Sequence, residues 1–249
     1  MILARMTWPE VEAASRESVV LIPTGSLEQH GPHLPLFTDS LLVTHAAGAI
    51  EARLGDKVLL TPTLWLGASG HHLAFAGSLS ASFDGYHQAV TQVVESLIPH
   101  GFRKFYVLNG HGGNTELNGI ACRALKEKHR SLLIGHAGYF SFIPDSLLAS
   151  LMEGPIKGIR HACEAEASLM MHCHPDLVRM DNLRDDGLTA NAEVPGMVWM
   201  FDEQTEMGSY GFATRGTAEK GRQLMDAAIS GASGAVEALA DGLYLEGIF

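Results

Sequence analysis

The segment Glu28-Gln29-His30-Gly31-Pro32-His33-Leu34-Pro35-Leu36-Phe37-Thr38-Asp39 gathers two carboxylates and two imidazoles into one short loop. Carboxylate oxygens mixed with imidazole nitrogens suit Zn²⁺, Mn²⁺ or Fe²⁺, ions that polarise carbonyls and make water acidic. A second segment, Asn109-Gly110-His111-Gly112-Gly113-Asn114, sets one histidine among three glycines, so the backbone can turn sharply and approach a ligand closely. Asn114 is able to cap the helical pattern that follows. Such glycines also cradle phosphates at helix N-termini. Neither the dinucleotide fingerprint nor the Lys-Ser/Thr pair of a phosphate loop accompanies them here. In a third segment, His161-Ala162-Cys163-Glu164-Ala165-Glu166-Ala167-Ser168, the residues His161, Glu164 and Ser168 are spaced three and four apart. A helix starting here presents some of these groups together at its first turn. Acidic residues at a helix start also answer the macrodipole, and for Glu164 that reading stays open.

The elements that must position these groups are legible as hydrophobic periodicity. Val19 to Pro23 and Phe105 to Leu108 read as buried strands, each running directly into one of the first two segments. Helices are expected from about Asp39 to Arg53, Tyr86 to Ile98, Glu116 to His129 and Thr217 to Leu243, with further strands at Lys57 to Thr61 and Leu132 to His136. This alternation predicts an α/β fold, a three-layer αβα arrangement around a mainly parallel sheet. Loops leaving the carboxyl ends of its strands are where such sheets place their sites. Pro144 to Arg160 and Asn191 to Arg215 lack regular periodicity and are candidate substrate-facing loops.

Composition narrows the partners. With 249 residues the chain is long enough for one large domain, and no repeat or linker divides it. A net charge of −11, from 17 basic and 28 acidic residues with no basic tract, argues against nucleic acid or an anionic membrane. No apolar run approaches the ~20 residues of a membrane span, and the N-terminal residues lack the apolar segment of a secretion signal. Three cysteines, Cys122, Cys163 and Cys173, do not suggest a disulfide framework. A soluble cytoplasmic protein is the simplest fit.

With its three segments in this order, the chain resembles the creatininase (creatinine amidohydrolase) family. The resemblance is carried by residues Gly25 to Pro35 with Thr38-Asp39, by Asn109 to Asn114, by His161 to Ser168 and by Thr217-Ala218-Glu219-Lys220-Gly221. It implies one metallohydrolase domain over residues 1–249, two divalent ions per subunit (Zn, Mn or Fe) and hydrolysis of an amide-type C–N bond. It also implies a homo-oligomer, hexameric or a comparable ring. The family's metal ligands map onto Glu28, His30, Asp39 and His111, with Asp39 as the bridge. Creatinine-hydrolysing members carry a further acidic ligand where this chain has Gly113, and Glu166 is the expected fifth ligand. His161 resembles the family's catalytic histidine, expected to move a proton to the leaving nitrogen, and Glu164 is the second catalytic candidate. Ser69 matches a substrate-contacting serine. His72 beside it, together with Asn114 and the Gly112 amide as oxyanion donors, completes the expected substrate site. His33 is expected to orient a ligand from behind, and Cys163 to be a buried structural thiol.

The substrate is less defined. Creatininase proper closes its pocket with tryptophans, whereas Tyr139 to Arg160 contains none, and together with Gly113 this tells against creatinine itself. A small neutral or weakly polar compound with a cyclic or acyl amide is expected. The alternatives are a metal-dependent hydrolase of a C–C or ester bond in a keto-sugar or cyclitol derivative, and a non-catalytic metal-binding relative.

Overall fold

A computed structural model describes residues 1–189 and 196–242. Helix α1 (Trp8–Ala13), which the sequence reading did not anticipate, starts at a Thr7–Glu10 capping box. Strands β1 (Val19–Thr24), β2 (Val58–Leu60), β3 (Lys104–Asn109) and β4 (Leu133–Gly138) form one parallel sheet in the order β2-β1-β3-β4. Between them run α2 (Thr38–Leu54), α3 (Phe83–Leu97) and α4 (Thr115–Lys128). After β4 come α5 (Asp145–Leu151), α6 (Glu164–Cys173), α7 (Phe201–Gln204) and α8 (Ala218–Asp241).

Strand periodicity divides the core. In β1, Val19 and Leu21 join a cluster with Leu42, Val43, Met170, Leu224 and Val236, from α2, α6 and α8. Val20 and Ile22 point the other way, to Val94 of α3 and Leu125 of α4. The sheet is therefore covered on both faces, which a parallel sheet requires, and the αβα layering expected from the alternation is present. Fully burying one such aliphatic side chain contributes about 1.5–3 kcal/mol, so the two clusters fix the strand ends that carry the polar loops.

Element boundaries fall within a few residues of the expected ones. The stretch Pro144 to Arg160 is not wholly irregular, since α5 lies inside it. Of Asn191 to Arg215, residues 191–195 lie outside the described residues, as does Leu243 at the end of the last expected helix. α8 is capped at both ends: the Thr217 hydroxyl accepts from the Lys220 amide, and Gly242 takes a left-handed conformation.

Candidate functional site

All three chemical segments meet at the carboxyl edge of the sheet. β1 delivers the loop that carries Glu28 and His30, and that loop ends in the first turn of α2, where Asp39 sits. β3 delivers His111. α6 contributes Glu166 from its first turn, while His161 precedes that helix on a tight turn in which Ala162 adopts φ +50°. A left-handed alanine costs about 1 kcal/mol or more, and here it is held from both sides. His33 Nε2 lies 3.0 Å from the Ala162 carbonyl, and the Ala162 amide donates to Glu166 Oε2 at 2.5 Å. His33 thus steadies the turn that presents His161, rather than contacting a ligand residue directly.

The two oxygens of Asp39 divide the site. Oδ1 lies 3.1 Å from His30 Nε2, and Glu166 Oε2 lies 4.0 Å from the same nitrogen. Oδ2 lies 3.0 Å from His111 Nδ1, which is also 3.2 Å from Glu28 Oε1. Donor atoms of His30, Asp39 and Glu166 gather within 4.8 Å of one another, as do those of Glu28, His71 and His111 and those of Glu28, His30 and His161. Buried Asp39 Oδ2 has no well-directed hydrogen-bond donor. Three buried or nearly buried carboxylates with one such oxygen unsatisfied are what a cation-binding site looks like.

Outer partners set the histidine tautomers. His30 Nδ1 lies 3.1 Å from the Glu28 carbonyl, and His111 Nε2 lies 3.3 Å from the Ala68 carbonyl and 3.3 Å from Ser69 Oγ. Because a carbonyl only accepts, those nitrogens carry hydrogen, and the opposite nitrogens, which face the carboxylates, are the atoms that would offer lone pairs to an ion once their protons leave. His161 Nε2 likewise donates to the Gln29 carbonyl at 2.7 Å, leaving Nδ1 facing Glu28 Oε1 at 3.7 Å. Gln29 is oriented by the Gly31 amide, which donates to its Oε1 at 2.9 Å. Its amide nitrogen then donates to His72 Nδ1 at 2.8 Å, so His72 Nε2–H faces Glu28 at 3.3 Å.

Protonation follows from this arrangement. Burial disfavours a charged imidazole, but Asp39, Glu166 and Glu28 outweigh it and raise His30 to about 9. His111 is raised well above its ordinary value because Glu28 and Asp39 likewise outweigh burial. Burial, reinforced by Asp39 and Glu28, pushes Glu166 up to about 7 against the pull of His30. Burial drives His72 down to about 3, and burial with the neighbouring His30 and His72 holds His161 well below the usual imidazole range. Two imidazoles are thus poised to be cationic beside the carboxylates, and two are kept neutral.

A cavity of about 300 Å³ opens onto this cluster. Glu28, Asp39, Glu166, His72, His111, His161 and Gly112 line it, with Phe140, Ile159 and Phe201 as an apolar wall and Arg160 exposed among the lining residues. Phe201 stacks on His72 at 4.4 Å between ring centroids and meets His161 edge-on at 4.5 Å.

Several expected site residues stand elsewhere. Glu164 does not line the cavity. Its carboxylate accepts from the Glu153 and Gly154 amides, both at 2.9 Å, and from Lys220 Nζ at 2.8 Å, which is the work of a structural anchor. Removing a buried ionic partner costs about 3–5 kcal/mol, so Glu164→Ala is expected to lower folding stability by about 3 kcal/mol in denaturant titration while the folded fraction keeps its kcat. Asn114 occupies the N-cap position of α4 without capping it. Its Oδ1 accepts from the Ala68 amide at 2.9 Å and its Nδ2 donates to the Gly25 carbonyl at 3.0 Å, so it clamps two loops and is not among the lining residues. Ser69 is fully buried behind His111 and bonded to Ser26, outside the cavity lining. Cys163 is buried and accepts from the Arg160 amide at 3.2 Å, and burial keeps it a thiol by raising it to about 12. His71, Gln29 and Phe201 were not singled out. Gln29 stands inside the first quoted segment and His71 next to the named His72, but only three-dimensional contacts reveal their partners, and Phe201 lies in a stretch without periodicity.

Known proteins share this arrangement of chain. A model of the creatininase family, described as creatinine amidohydrolase, matches residues 4–236. The mycofactocin precursor peptide peptidase of Mycobacterium ulcerans (strain Agy99) is 31% identical over 227 residues, covering 88% of this chain and 80% of that protein. The creatinine amidohydrolase of Pseudomonas putida is 30% identical over 200 residues, covering 74% of this chain and 75% of that protein. A solved manganese creatininase superposes with a TM-score of 0.82 at 26% identity, over 95% of this chain and 97% of that one. With the family match spanning nearly its whole length and its donor residues gathered at one cavity, the chain belongs to the creatininase family of metal-dependent amidohydrolases.

Proposed function

We propose that this protein is a dinuclear metal-dependent amidohydrolase that cleaves a C–N bond, a cyclic or acyl amide, in a small molecule. The observation that carries the reading is the split of Asp39, whose one oxygen faces His30 and Glu166 while the other faces His111 and Glu28. A carboxylate placed so can serve two ions a few ångströms apart. When bound, the ions supply Lewis-acid polarisation of the scissile carbonyl and lower the pKa of water. The chain's own residues do the rest. His161, kept neutral with its Nδ1 lone pair toward the Glu28 side of the cavity, accepts the proton lost by the attacking water and returns it to the departing nitrogen. Gly112 lines the cavity, and its amide serves the developing oxyanion. Phe140, Ile159 and Phe201 hold water away and favour a substrate with an apolar flank.

We also infer a homo-oligomer, a hexamer as the resemblance implies, and a cytoplasmic setting. Exposed Trp65, Leu66, Leu73 and Leu79 offer apolar surface for subunit contacts. Among the described residues no helix is long and apolar enough to cross a membrane.

Calorimetric titration of chelator-stripped protein tests the proposal. It is expected to report two equivalents of Zn²⁺ or Mn²⁺ per chain, with proton release at pH 7, because His30 and His111 hold protons that an ion must displace. Without an ion, the His30 proton contributes stability that is fully present below pH 6.5 and is lost as pH rises through about 9. Metal affinity runs the opposite way, falling about tenfold per pH unit for each displaced proton as pH drops below about 9, and further below about 7 as Glu166 protonates. Absence of bound transition metal at pH 8 would sink the proposal.

A further inference from the structure

Without a further donor the two halves of the centre match, each with one imidazole, one unshared carboxylate and one oxygen of Asp39. On one side His30, Asp39 Oδ1 and Glu166 converge. On the other, His111 Nδ1 faces both Glu28 and the second oxygen of Asp39. One further donor stands on this second side. His71 lines the cavity, and its donor nitrogen lies within 4.8 Å of those of Glu28 and His111. The neighbouring His72 is not equivalent, because Gln29 donates to its Nδ1 and its Nε2–H is turned to Glu28.

Gly113 explains how His71 gets there. A Cβ placed at position 113 would fall 2.9 Å from His71 Cε1, 2.5 Å from His111 Nε2 and 2.6 Å from the Ala68 carbonyl. Any side chain at 113 would therefore push into the space that His71 fills. With glycine there, the His71 ring lies nearly parallel to that of His111, 5.8 Å away with 17° between planes. The missing side chain at 113 and the imidazole at 71 are two parts of one arrangement.

We propose that His71 is a metal ligand, completing with Glu28, His111 and Asp39 Oδ2 the donor set of the second ion. This rests on the dinuclear reading above. It makes the two half-sites chemically different. The His71 side presents two imidazoles and one unshared carboxylate, and the Glu166 side presents one imidazole and one unshared carboxylate. The nitrogen-richer side is expected to prefer Zn²⁺, and the oxygen-richer side to accept Mn²⁺ more readily.

The test compares the parent chain with His71→Ala and His71→Glu, each stripped with chelator and titrated with Zn²⁺ and with Mn²⁺ by calorimetry, with ion counts by elemental analysis. His71→Ala is expected to keep one ion at parental affinity and to bind the other at least about 100-fold more weakly, since loss of even an outer partner costs about 10–100-fold. His71→Glu, which returns a donor of similar reach, is expected to recover the second ion with its Zn²⁺-over-Mn²⁺ preference reduced at least ~10-fold. In the Co²⁺-loaded parent, the visible absorption band of the weaker ion should change in shape in His71→Glu and disappear in His71→Ala. Two ions held at parental affinity by His71→Ala overturn the proposal and leave the dinuclear reading standing. A His71→Glu chain that binds no better than His71→Ala also overturns it, because the ring would then matter for its shape and not as a donor. A parent that holds a single ion overturns both the proposal and the dinuclear reading.

Discussion

Asp39→Asn is expected to weaken both ions together, by about 10²–10³-fold each, and to abolish amide hydrolysis at metal concentrations that saturate the parent. The magnitude follows from removing one partner of a buried ionic set, about 3–5 kcal/mol. The symmetry of the loss follows from geometry, since each Asp39 oxygen lies within about 3 Å of a different candidate ligand histidine, at 3.1 Å and 3.0 Å. Single substitutions on either side should be lopsided. Glu166→Gln should weaken mainly the ion beside His30, and Glu28→Gln mainly the one beside His111. Ion counting in Asp39→Asn decides the matter: one ion retained at parental affinity would show that Asp39 does not bridge.

His161→Ala should separate catalysis from metal binding. Loss of a general acid–base group typically lowers kcat by ~10²–10⁴-fold. KM should change little where the group acts mainly in the transition state. Metal content should stay at the parental level. The competing outcome is concrete, because His161 Nδ1 lies 3.7 Å from Glu28 Oε1 and belongs to one of the donor clusters. Activity that falls in step with metal content would make His161 a ligand and leave the proton transfer to another group. Full kcat in the variant would remove it from the reaction altogether.

Much of this molecule was legible in its sequence because its strongest signals are local. The apolar runs at Val19 and Phe105 specify strands that cannot be elsewhere than inside, and the polar loops that follow them must emerge at one edge of a parallel sheet. The candidate donors Glu28, His30, Asp39, His111 and Glu166 came from the family resemblance that those segments carry, and their side chains lie together at the carboxyl edge of the sheet. What local pattern could not supply was partnership at a distance. Glu164 sits at a helix start like a residue available for chemistry, yet its partner Lys220 comes 56 residues later. Asn114 occupies a capping position, but its amide is taken by loops that begin at Gly25 and Gly67. His71 reads as one more loop histidine until the missing side chain at Gly113 is set beside it. Phe201 leaves no periodic trace, because a single ring laid across two imidazoles needs no repeating pattern.

The parallel order β2-β1-β3-β4 also governs how the protein comes into being. Parallel neighbours cannot be joined by a tight hairpin, so each pairing waits for a crossover segment to fold back. Chains dominated by such distant pairings fold slowly, since the entropy of closing long loops is spent before any contact rewards it. The candidate donors are dispersed in the same way, with Glu28, His30 and Asp39 inside the first crossover, His111 after the third strand and Glu166 beyond the fourth. No short stretch of the newly made chain can grip an ion as the finished pocket does. An ion that needs donors from all three segments would therefore meet its full set only in the folded chain, after the sheet has formed.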